Sequence, residues 1–389
     1  MLVLHLVILA LLVLSLLGVL ANLSCFDGLR PAPPPADAPL VSILVPARNE
    51  ALNIEACVSS LLAQDYPRYQ LIVLDDHSDD GTGEIVRALG LSRDSADRTL
   101  LSGEALPAGW GGKNWACHQL AREARGEFLF FTDADTIHAP GTVSAAVAYA
   151  REKRADLVSA WPRLLTVTLG EQLIIPMILL LGMVCYPHWL VLWLQEHPRL
   201  AARLPARLRR TLGAANGQFL FFTRTAYDRI GGHDALRGHL VEDVALGRAI
   251  ATRMDEGLRL FNCESLRFTT CRMYRSLGEV WEGFTKNMRP AFESNLPAFL
   301  VLGTVQFACF LWPFAAIFLS PPFLRPLVLT EIALIYTIRL VLTVRFQTSW
   351  LGCLLHPIGH ALALAIGLNS WRRSAGAGVR WKGRTYQPG

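Results

Sequence analysis

The sequence predicts an α/β domain joined to membrane segments, and three observations carry that prediction. Hydrophobic residues make up 52% of the 389 residues and charged residues only 18%, whereas soluble domains usually contain about 25% charged residues. Several apolar runs are long enough to cross a bilayer. Between them, short apolar runs alternate with stretches that favour helices, which is typical of a mainly parallel sheet. This composition excludes a disordered chain.

The N-terminal segment is the first predicted membrane element. Leu2 to Leu20 is apolar apart from one histidine and one serine, and a helix rising ~1.5 Å per residue over this run spans a bilayer core. A cleaved signal peptide is the alternative, but Arg30 and Arg48 follow the run instead of preceding it. We expect a transmembrane helix over 1–22 and a proline-rich linker over 23–39. The positive-inside rule then places the following domain in the cytoplasm.

The segment after the folded domain is apolar again. We place the domain over 40–290 and expect two to three membrane helices over 291–370. Glu331 lies within one of these stretches, and such residues usually face protein or a water-filled cavity. The basic residues of the tail over 371–389 favour a cytoplasmic location for it. Three complete spans after a cytoplasmic domain would instead place the tail outside. Either one stretch is re-entrant or the charge rule fails, and we expect a cytoplasmic tail.

A further apolar run lies inside the folded domain, over 173–194, and an arginine-rich stretch over 199–210 follows it. Strand-like segments of the same domain flank the run, so both flanks must lie on one side of the membrane. We expect an interfacial or re-entrant hairpin, with the arginines near anionic lipid head groups. The alternative is a buried helix pair within the domain.

The cysteines and the net charge exclude several classes of protein. None of the eight cysteines forms a C-x-x-C pair, so we expect reduced, buried thiols and no zinc or disulfide framework. The formal net charge of +5 gives no case for nucleic acid as a partner.

Acidic residues follow two of the predicted strands. In a mainly parallel sheet, ligands bind beyond the carboxyl ends of the strands. Asp75-Asp76 and Asp133-x-Asp135 are expected there, although such residues also favour turns for local reasons. The predicted elements are, in chain order, strand Val41–Val45, helix Glu50–Ala63, strand Gln70–Leu74, helix Gly83–Leu89, helix Asn114–Ala124, strand Glu127–Thr132 and a helix from Thr142.

The pair Asp133 and Asp135 has the stronger case for a metal. Both carboxylates leave a buried strand together, and they would repel each other unless a cation neutralised them. Oxygen ligands suit Mg²⁺ or Mn²⁺.

The ordered motifs of the chain resemble glycosyltransferase family two, whose domain has the GT-A nucleotide-sugar fold. The resemblance covers about 41–290 and rests on VSILVPARNE, LIVLDDHSDDGT, GKNWA, FLFFTDADT, GQFLFFTRTAYDRIGG and LVEDVALGRAI, in that order. With its flanking membrane segments, the chain is similar to the membrane-bound branch that includes hopanoid-associated and carotenoid glycosyltransferases. The resemblance implies a nucleotide-sugar donor, with a UDP-sugar as first choice.

The resemblance also implies roles for individual residues. Asp135 and Asp133 would bind Mg²⁺ or Mn²⁺. Asp243, beside Glu242, would be the general base that takes the acceptor proton, so that attack inverts the anomeric centre. Acids in the first turn of a helix also have a purely stabilising role, which is the alternative. The donor site would contain Pro46, Arg48, Glu50, Asp75, Asp76, Lys113 and Asp133, and the acceptor side Asn216, Gly217 and Trp281.

One departure from the family narrows the expected reaction. Processive polysaccharide synthases carry Q-x-x-R-W after the acidic pair, and the region from Arg272 to Trp281 lacks that motif. We therefore expect an inverting enzyme of a bacterial-type inner membrane that transfers one sugar to a hydroxyl of a carotenoid, hopanoid or other isoprenoid. Polyprenyl phosphate or a glycerolipid is the alternative acceptor. A polysaccharide synthase and a non-catalytic membrane scaffold are weaker alternatives.

Overall fold

The structure is a computed structural model that describes residues 1–374, 379–381 and 384–386. Lys382 and other parts of the predicted basic tail lie outside the described residues. The strands are β1 (Val41–Ala47), β2 (Tyr69–Asp75), β3 (Arg98–Ser102), β4 (Phe128–Phe131), β5 (Thr136–His138), β6 (Leu157–Trp161), β7 (Arg163–Leu164), β8 (Leu220–Thr223), β9 (Leu260–Glu264), β10 (Thr269–Cys271), β11 (Val379–Trp381) and β12 (Arg384–Tyr386). The α-helices are α1 (Leu2–Cys25), α2 (Ile54–Leu62), α3 (Thr82–Ala88), α4 (Gly112–Glu123), α5 (Thr142–Lys153), α6 (Leu169–Cys185), α7 (His188–Glu196), α8 (Pro198–Ala201), α9 (Ala206–Thr211), α10 (Arg224–Arg229), α11 (Glu242–Thr252), α12 (Leu277–Ala291), α13 (Leu296–Phe310), α14 (Trp312–Leu319), α15 (Arg325–Phe346), α16 (Trp350–Leu354) and α17 (His356–Ser374).

The chain forms two compact units, each assembled from separate segments. We call Phe26–Arg163 with His188–Arg272 the sheet unit. The remainder is the helical unit, which comprises Met1–Cys25, Leu164–Pro187 and Met273–Gly389. This division differs from the expected domain over 40–290, because α6 and α12 group with the terminal helices.

The sheet unit is built on seven strands in the order β3-β2-β1-β4-β8-β6-β9. Strand β1 pairs in parallel with β2 and β4, β2 with β3, and β6 with β9. Only β8 runs against its neighbours β4 and β6 within this sheet. The expected mainly parallel α/β sheet is confirmed, with one antiparallel strand near its centre.

Both faces of the sheet are covered, which explains the unbroken apolar runs in its strands. Ile43 and Val45 pack into a core that includes residues of α2 and α5. Leu44, between them, packs into a second core with residues of α4 and α11. Strand β3 was not anticipated, because Arg98–Ser102 is a short edge strand with polar residues at both ends.

The helical unit contains most of the candidate membrane helices. Within the described residues, two helices are long and apolar enough to cross a membrane, and up to four segments qualify if each bent pair counts as one span. The single helices are Leu2–Cys25 and Pro322–Phe346, and the bent pairs are Leu169–Cys185 with His188–Glu196 and Leu296–Phe310 with Trp312–Leu319.

Helices α6 and α7 cover most of the apolar run over 173–194 and meet at a bend of 44°, which is typical of a broken span or a re-entrant loop. Helix α6 belongs to the helical unit, whereas α7 belongs to the sheet unit. In the sheet unit, Gln195 Nε2 donates to the Leu260 carbonyl at 3.0 Å. The break falls at Tyr186 and Pro187, because a residue that precedes proline is disfavoured in a helix.

The cysteines follow the expectation with exceptions. All eight are free, and six of them are buried. Cys25 is only partly buried and Cys185 is exposed, so burial of every thiol was wrong.

A buried polar pair joins the N-terminal helix to a C-terminal helix in the helical unit. His5 Nδ1 lies 3.0 Å from Glu331 Oε1, and both side chains are fully buried. Ser320 Oγ lies 3.4 Å from the other ring nitrogen of His5. Each partner therefore satisfies a polar group that would otherwise be costly to bury.

We expect Glu331→Leu to lower the melting temperature of the detergent-solubilised protein by several degrees. The substitution leaves His5 buried without its partner, and breaking a buried pair typically costs about 3–5 kcal/mol. The double variant His5→Leu with Glu331→Leu should recover much of the loss, because no unpaired polar group remains. Thr337→Leu, at an exposed position of the same helix, is the control. Equal melting of the single and double variants would contradict the pairing.

Candidate active site

The candidate site lies at the edge of the sheet where the parallel strands end. Ala47 of β1 pairs with Asp75 of β2, and Leu44 of β1 pairs with Phe131 of β4. Since β1, β2 and β4 are parallel, the residues that follow them emerge at the same edge. Helices α4 and α11, which begin at Gly112 and Glu242, contribute the other side chains of the site.

Lys113 is the centre of the site. Its Nζ lies 2.6 Å from Asp133 Oδ1 and 2.7 Å from Glu242 Oε1. The three residues come from the start of α4, the turn after β4 and the first position of α11, so the fold brings distant segments together. The two carboxylates enclose a lysine whose side chain is still 39% exposed.

Asp243 is held beside this cluster by backbone amides. The Gly217 amide donates to Asp243 Oδ2 at 2.8 Å, and the Val244 amide donates to Oδ1 at 2.8 Å. A Cβ on Gly217 would lie 3.2 Å from both Asp243 Oδ2 and Lys113 Nζ. Glycine at this position therefore allows the loop before β8 to approach the carboxylate and the ammonium group closely.

The two acids at the start of α11 differ in their affinity for a proton. Burial, followed by the charge of Glu242, raises the pKa of Asp243 to about 6, although Lys113 opposes the shift. Burial also acts to raise the pKa of Glu242, but the charge and hydrogen bond of Lys113 outweigh it, and that pKa lies below its usual value. Asp243 can therefore exchange a proton close to neutral pH while Glu242 stays ionised.

The carboxylates after β4 occupy a polar but confined environment. Burial raises the pKa of Asp133 in spite of the charge and hydrogen bond of Lys113. Burial and then the charge of Asp135 raise the pKa of the Cys271 thiol in β10. Negative charge therefore exceeds the positive charge of Lys113 around this turn.

A buried hydrogen-bond network stabilises the turn after β4, and it was not predicted from the sequence. Thr132 Oγ1 donates to the Gln218 carbonyl at 2.8 Å, and Thr136 Oγ1 donates to the Asp133 carbonyl at 2.7 Å. Both hydroxyls lie about as close to His138 Nε2, at 3.0 and 2.9 Å. Burial lowers the pKa of His138 to about 3, so the ring is neutral. Thr132 and Thr136, on either side of D-x-D, are the sequence feature that could have indicated this network.

Asn114 is a second residue that sequence reasoning did not single out. Its Nδ2 donates to the carbonyls of Leu236, at 2.5 Å, and His239, at 2.9 Å. The loop that it holds runs directly into Glu242. The G-K-N sequence of α4 therefore has two functions, because Lys113 contacts Glu242 while Asn114 fixes the loop that precedes it.

The predicted donor residues after β1 and β2 are placed as follows. Asp75 Oδ1 accepts from the Ser78 amide at 3.0 Å, and the lack of a side chain at Gly83 makes room for its other oxygen. Asp75 therefore has the local, turn-stabilising contact that is the alternative to a ligand-binding role. Asp76 is 4% exposed, and its carbonyl accepts from Arg48 Nη1.

Pro46 and Glu50 flank the same edge. Pro46 is the sixth residue of β1. Glu50 Oε2 accepts from Asn53 Nδ2 at 2.9 Å, and its charge acts on Asp133.

The residues expected on the acceptor side are divided between the two units. Gly217 contacts Asp243, as described above. Asn216 turns its side chain onto Gln218 at 3.2 Å. Trp281 belongs to the helical unit, where it packs against a core that includes Ile174 and Val280.

The carboxylates after β4 are the candidate ligands for a divalent metal. Among residues 1–374, 379–381 and 384–386, no three His, Cys, Asp or Glu side chains are arranged to hold a metal ion unaided. Mg²⁺ is usually bound by one or two carboxylates together with substrate phosphates. Asp133 and Asp135 fit that requirement, because they supply oxygen ligands and excess negative charge at one turn.

Comparison with known proteins finds a family match for part of the chain and relatives over most of it. Residues 42–167 match the family model described as Glycosyl transferase family 2. The chain is 27% identical over 363 residues to 4,4'-diaponeurosporenoate glycosyltransferase of Staphylococcus aureus strain USA300, across 89% of this chain and 88% of that protein. The corresponding protein of strain MRSA252 is 26% identical over 366 residues, with the same shares covered.

A solved structure has a similar fold. It is a mannosyltransferase from Pyrobaculum calidifontis, solved in complex with GDP-Man and Mn²⁺. The superposition has a TM-score of 0.51 at 20% sequence identity and covers 94% of this chain and 99% of the other. The expected GT-A type of α/β sheet is thereby confirmed.

These findings define the chain as a sugar-transferring enzyme with a GT-A sheet. Residues 42–167 form a glycosyltransferase family 2 domain, and most of the candidate membrane helices lie in the helical unit.

Proposed function

We propose that this enzyme is an integral membrane protein that moves one sugar from a nucleotide sugar to a hydroxyl of a lipid, with inversion at the anomeric carbon. The observation that carries the proposal is the cluster of Lys113, Asp133, Glu242 and Asp243 at the sheet edge, in a chain that also contains candidate membrane helices. A UDP-sugar is the first donor to test. The sheet unit lies on the cytoplasmic side of a bacterial-type inner membrane, with the donor drawn from the cytosol.

Each acidic or basic group has a distinct role in this proposal. Asp243 accepts the proton of the acceptor hydroxyl as its oxygen bonds to the anomeric carbon. The bond from that carbon to the nucleotide diphosphate breaks at the same time. Lys113 offers its ammonium group to the departing diphosphate, and Glu242 holds Lys113 in position. Gly217 and its amide fix the carboxylate of Asp243 toward the reacting atoms.

The donor is bound at the ends of β1, β2 and β4. Asp75, Asp76 and Arg48 are the candidates for contacts to the nucleoside, and Asp75 also accepts from the Ser78 amide in its own turn. Mg²⁺ or Mn²⁺, when bound, would neutralise charge on the diphosphate. Asp135 would hold that ion directly, and Asp133 would share it.

The lipid acceptor is supported by the relatives and by the helical unit. The similarity to the diaponeurosporenoate glycosyltransferases extends well beyond the family domain, over 89% of the chain. A carotenoid or related isoprenoid is therefore the first acceptor class to test. An apolar acceptor would account for helices α1 and α15 in the same chain as a sugar-transfer site.

A carboxylate on the lipid is a second candidate for the attacking group. The name of the relatives' acceptor carries the ending of a carboxylate. At neutral pH a carboxylate has no proton for Asp243 to remove, so the need for that residue distinguishes the two acceptors. A hydroxyl acceptor makes Asp243 essential, whereas a carboxylate acceptor leaves it with a much smaller role.

The function is tested with the full chain in nanodiscs. Labelled UDP-sugars and GDP-mannose are supplied with Mn²⁺ and with extracted carotenoids, hopanoids or polyprenyl phosphate in separate reactions. We expect label from one donor in small organic-soluble lipids, lost in Asp243→Asn and retained in the exposed-site control Asp228→Asn. Label in a long aqueous polymer would overturn single-sugar transfer. Label on polyprenyl phosphate alone would replace the isoprenoid acceptor.

Removal of divalent metal is expected to abolish transfer. EDTA should stop product formation, and Mg²⁺ or Mn²⁺ should restore it. Asp135→Asn should raise the Mn²⁺ concentration for half-maximal rate by about tenfold or more, since even residues that only support metal ligands change affinity by about 10–100-fold. Binding of Mn²⁺, followed by electron paramagnetic resonance in the presence of nucleotide diphosphate, gives a readout independent of turnover. Asp94→Asn, an exposed carboxylate, is the control, and full activity in EDTA would exclude a metal.

A further inference from the structure

The segment after α6 presents a basic and aromatic surface on the sheet unit. The two tryptophans of α7 are 45% and 46% exposed, and four arginines that follow are exposed as well. We call this set the basic–aromatic surface, and its members are Trp189, Trp193, Arg199, Arg203, Arg207 and Arg210.

Arg209 differs from its neighbours and shows which arginines stabilise the fold. It is 8% exposed, its Nε donates to the Thr252 carbonyl at 3.0 Å, and its Nη2 lies 2.8 Å from Asp255 Oδ2. Arg209 therefore ties α9 to the end of α11.

The exposed arginines are close to one another in the sequence. They follow at intervals of four, four and three residues. Arg207 and Arg210, three apart within α9, share one helix face, and Arg209 lies on another. The segment 189–212 contains five arginines and one glutamate, Glu196, which pairs with Arg259.

The surface begins close in sequence to a membrane-type helix. Helix α6 ends at Cys185 and α7 begins at His188, so only two residues separate an apolar helix of the helical unit from the first tryptophan-bearing turn. Tryptophan side chains prefer the boundary between water and acyl chains, and arginines near a membrane are attracted to anionic head groups. A surface that faces only water would not need both.

We propose that the basic–aromatic surface rests on anionic phospholipid head groups, with Trp189 and Trp193 at the acyl boundary and the four arginines among the phosphates. This contact is additional to the transfer reaction and does not depend on it. The sequence predicts that the arginines over 199–210 lie near anionic lipid head groups. Arg209 does not belong to that set, because it is buried, and the proposal adds Trp189 and Trp193. Its charge complementarity specifies an anionic membrane rather than a neutral one.

The test uses the full chain in nanodiscs of two compositions, phosphatidylcholine alone and phosphatidylcholine with phosphatidylglycerol. We expect amide hydrogen exchange over 198–212 to be about tenfold slower in the anionic nanodiscs, since each arginine near such a surface contributes several-fold to attraction. Glutamine at all four positions, 199, 203, 207 and 210, should remove that difference. Glutamine at Arg87, Arg93, Arg122 and Arg267, which are exposed elsewhere on the sheet unit, should leave it intact.

Folding of the fourfold variant is checked by its affinity for nucleotide diphosphate, which should equal that of the wild type. Equal exchange of the wild type in the two lipids would overturn the proposal. Retention of the lipid effect by the fourfold variant would overturn it as well. Inorganic phosphate added to neutral nanodiscs separates a soluble anion from a membrane surface. Full protection by phosphate alone would replace the membrane with a phosphate ligand.

Discussion

Asp243→Asn is expected to lower kcat by about a thousandfold, the middle of the range for loss of a general base. Asparagine keeps the shape of the side chain, and its single oxygen can accept from either the Gly217 or the Val244 amide but not from both, and it cannot act as the base. The affinity for the nucleotide donor should stay within twofold. The melting temperature should not fall, because a buried carboxylate with a raised pKa is replaced by a neutral group. Turnover in nanodiscs and calorimetric donor binding measure these effects.

The pH profile provides the control for this assignment. Because the pKa of Asp243 is raised to about 6, the base is protonated below that pH and ionised above it. The kcat/KM of the wild type should therefore fall about tenfold per pH unit below pH 6, and the residual activity of Asp243→Asn should lack that limb. A decrease of less than tenfold in kcat, with the acid limb retained, would assign proton removal elsewhere or indicate a carboxylate acceptor.

Lys113→Gln is expected to lower kcat/KM by about 100- to 1,000-fold, the range for removal of one preorganised electrostatic donor. The ammonium group contacts both Asp133 and Glu242, so its loss leaves those carboxylates without their shared cation. The charge of Lys113 also acts to lower the pKa of Asp243. The acid limb of the pH profile should therefore move to higher pH in this variant, which loss of packing alone would not produce.

Lys113→Arg separates charge from geometry. Arginine keeps the positive charge, so the acid limb should return to its wild-type position. Its planar guanidinium does not reproduce the contacts of a compact ammonium group, so kcat/KM should stay low. If Lys113→Gln kept the wild-type kcat/KM, Lys113 would have no role in the transfer reaction. If kcat/KM changed but the acid limb did not move, Lys113 would act on the donor and not on Asp243.

The local features of the fold were predictable because their signals lie within a few residues. The apolar run beginning at Val41 marked β1, and the expected strand at Gln70–Leu74 lies inside β2. The carboxylates after β4 could be placed at the sheet edge, because parallel strands end on the same side. Family resemblance then suggested chemical roles for Lys113 and Asp243.

The long-range contacts were not predictable from the same patterns. No local signal shows that Lys113 bridges Asp133 and Glu242, because that pairing depends on how α4 and α11 pack against the sheet. The direction of β8 is set by its neighbours, since a four-residue apolar run reads the same in either orientation. Asn114 looked like an ordinary helix residue, because its partners are backbone carbonyls that carry no sequence signature.

The order of the strands along the chain has a consequence for biosynthesis. Strand β8 lies between β4 and β6 in the sheet, yet it is translated after α6 (Leu169–Cys185). When α6 leaves the ribosome, the edges of β4 and β6 that β8 will cover are still open. Open strand edges are templates for mispairing with other chains. The sheet of the nascent chain therefore has unpaired strand edges while the apolar helix α6 emerges from the ribosome. Removing residues from either terminus would not shorten this period, because α6 lies between β6 and β8 in the sequence.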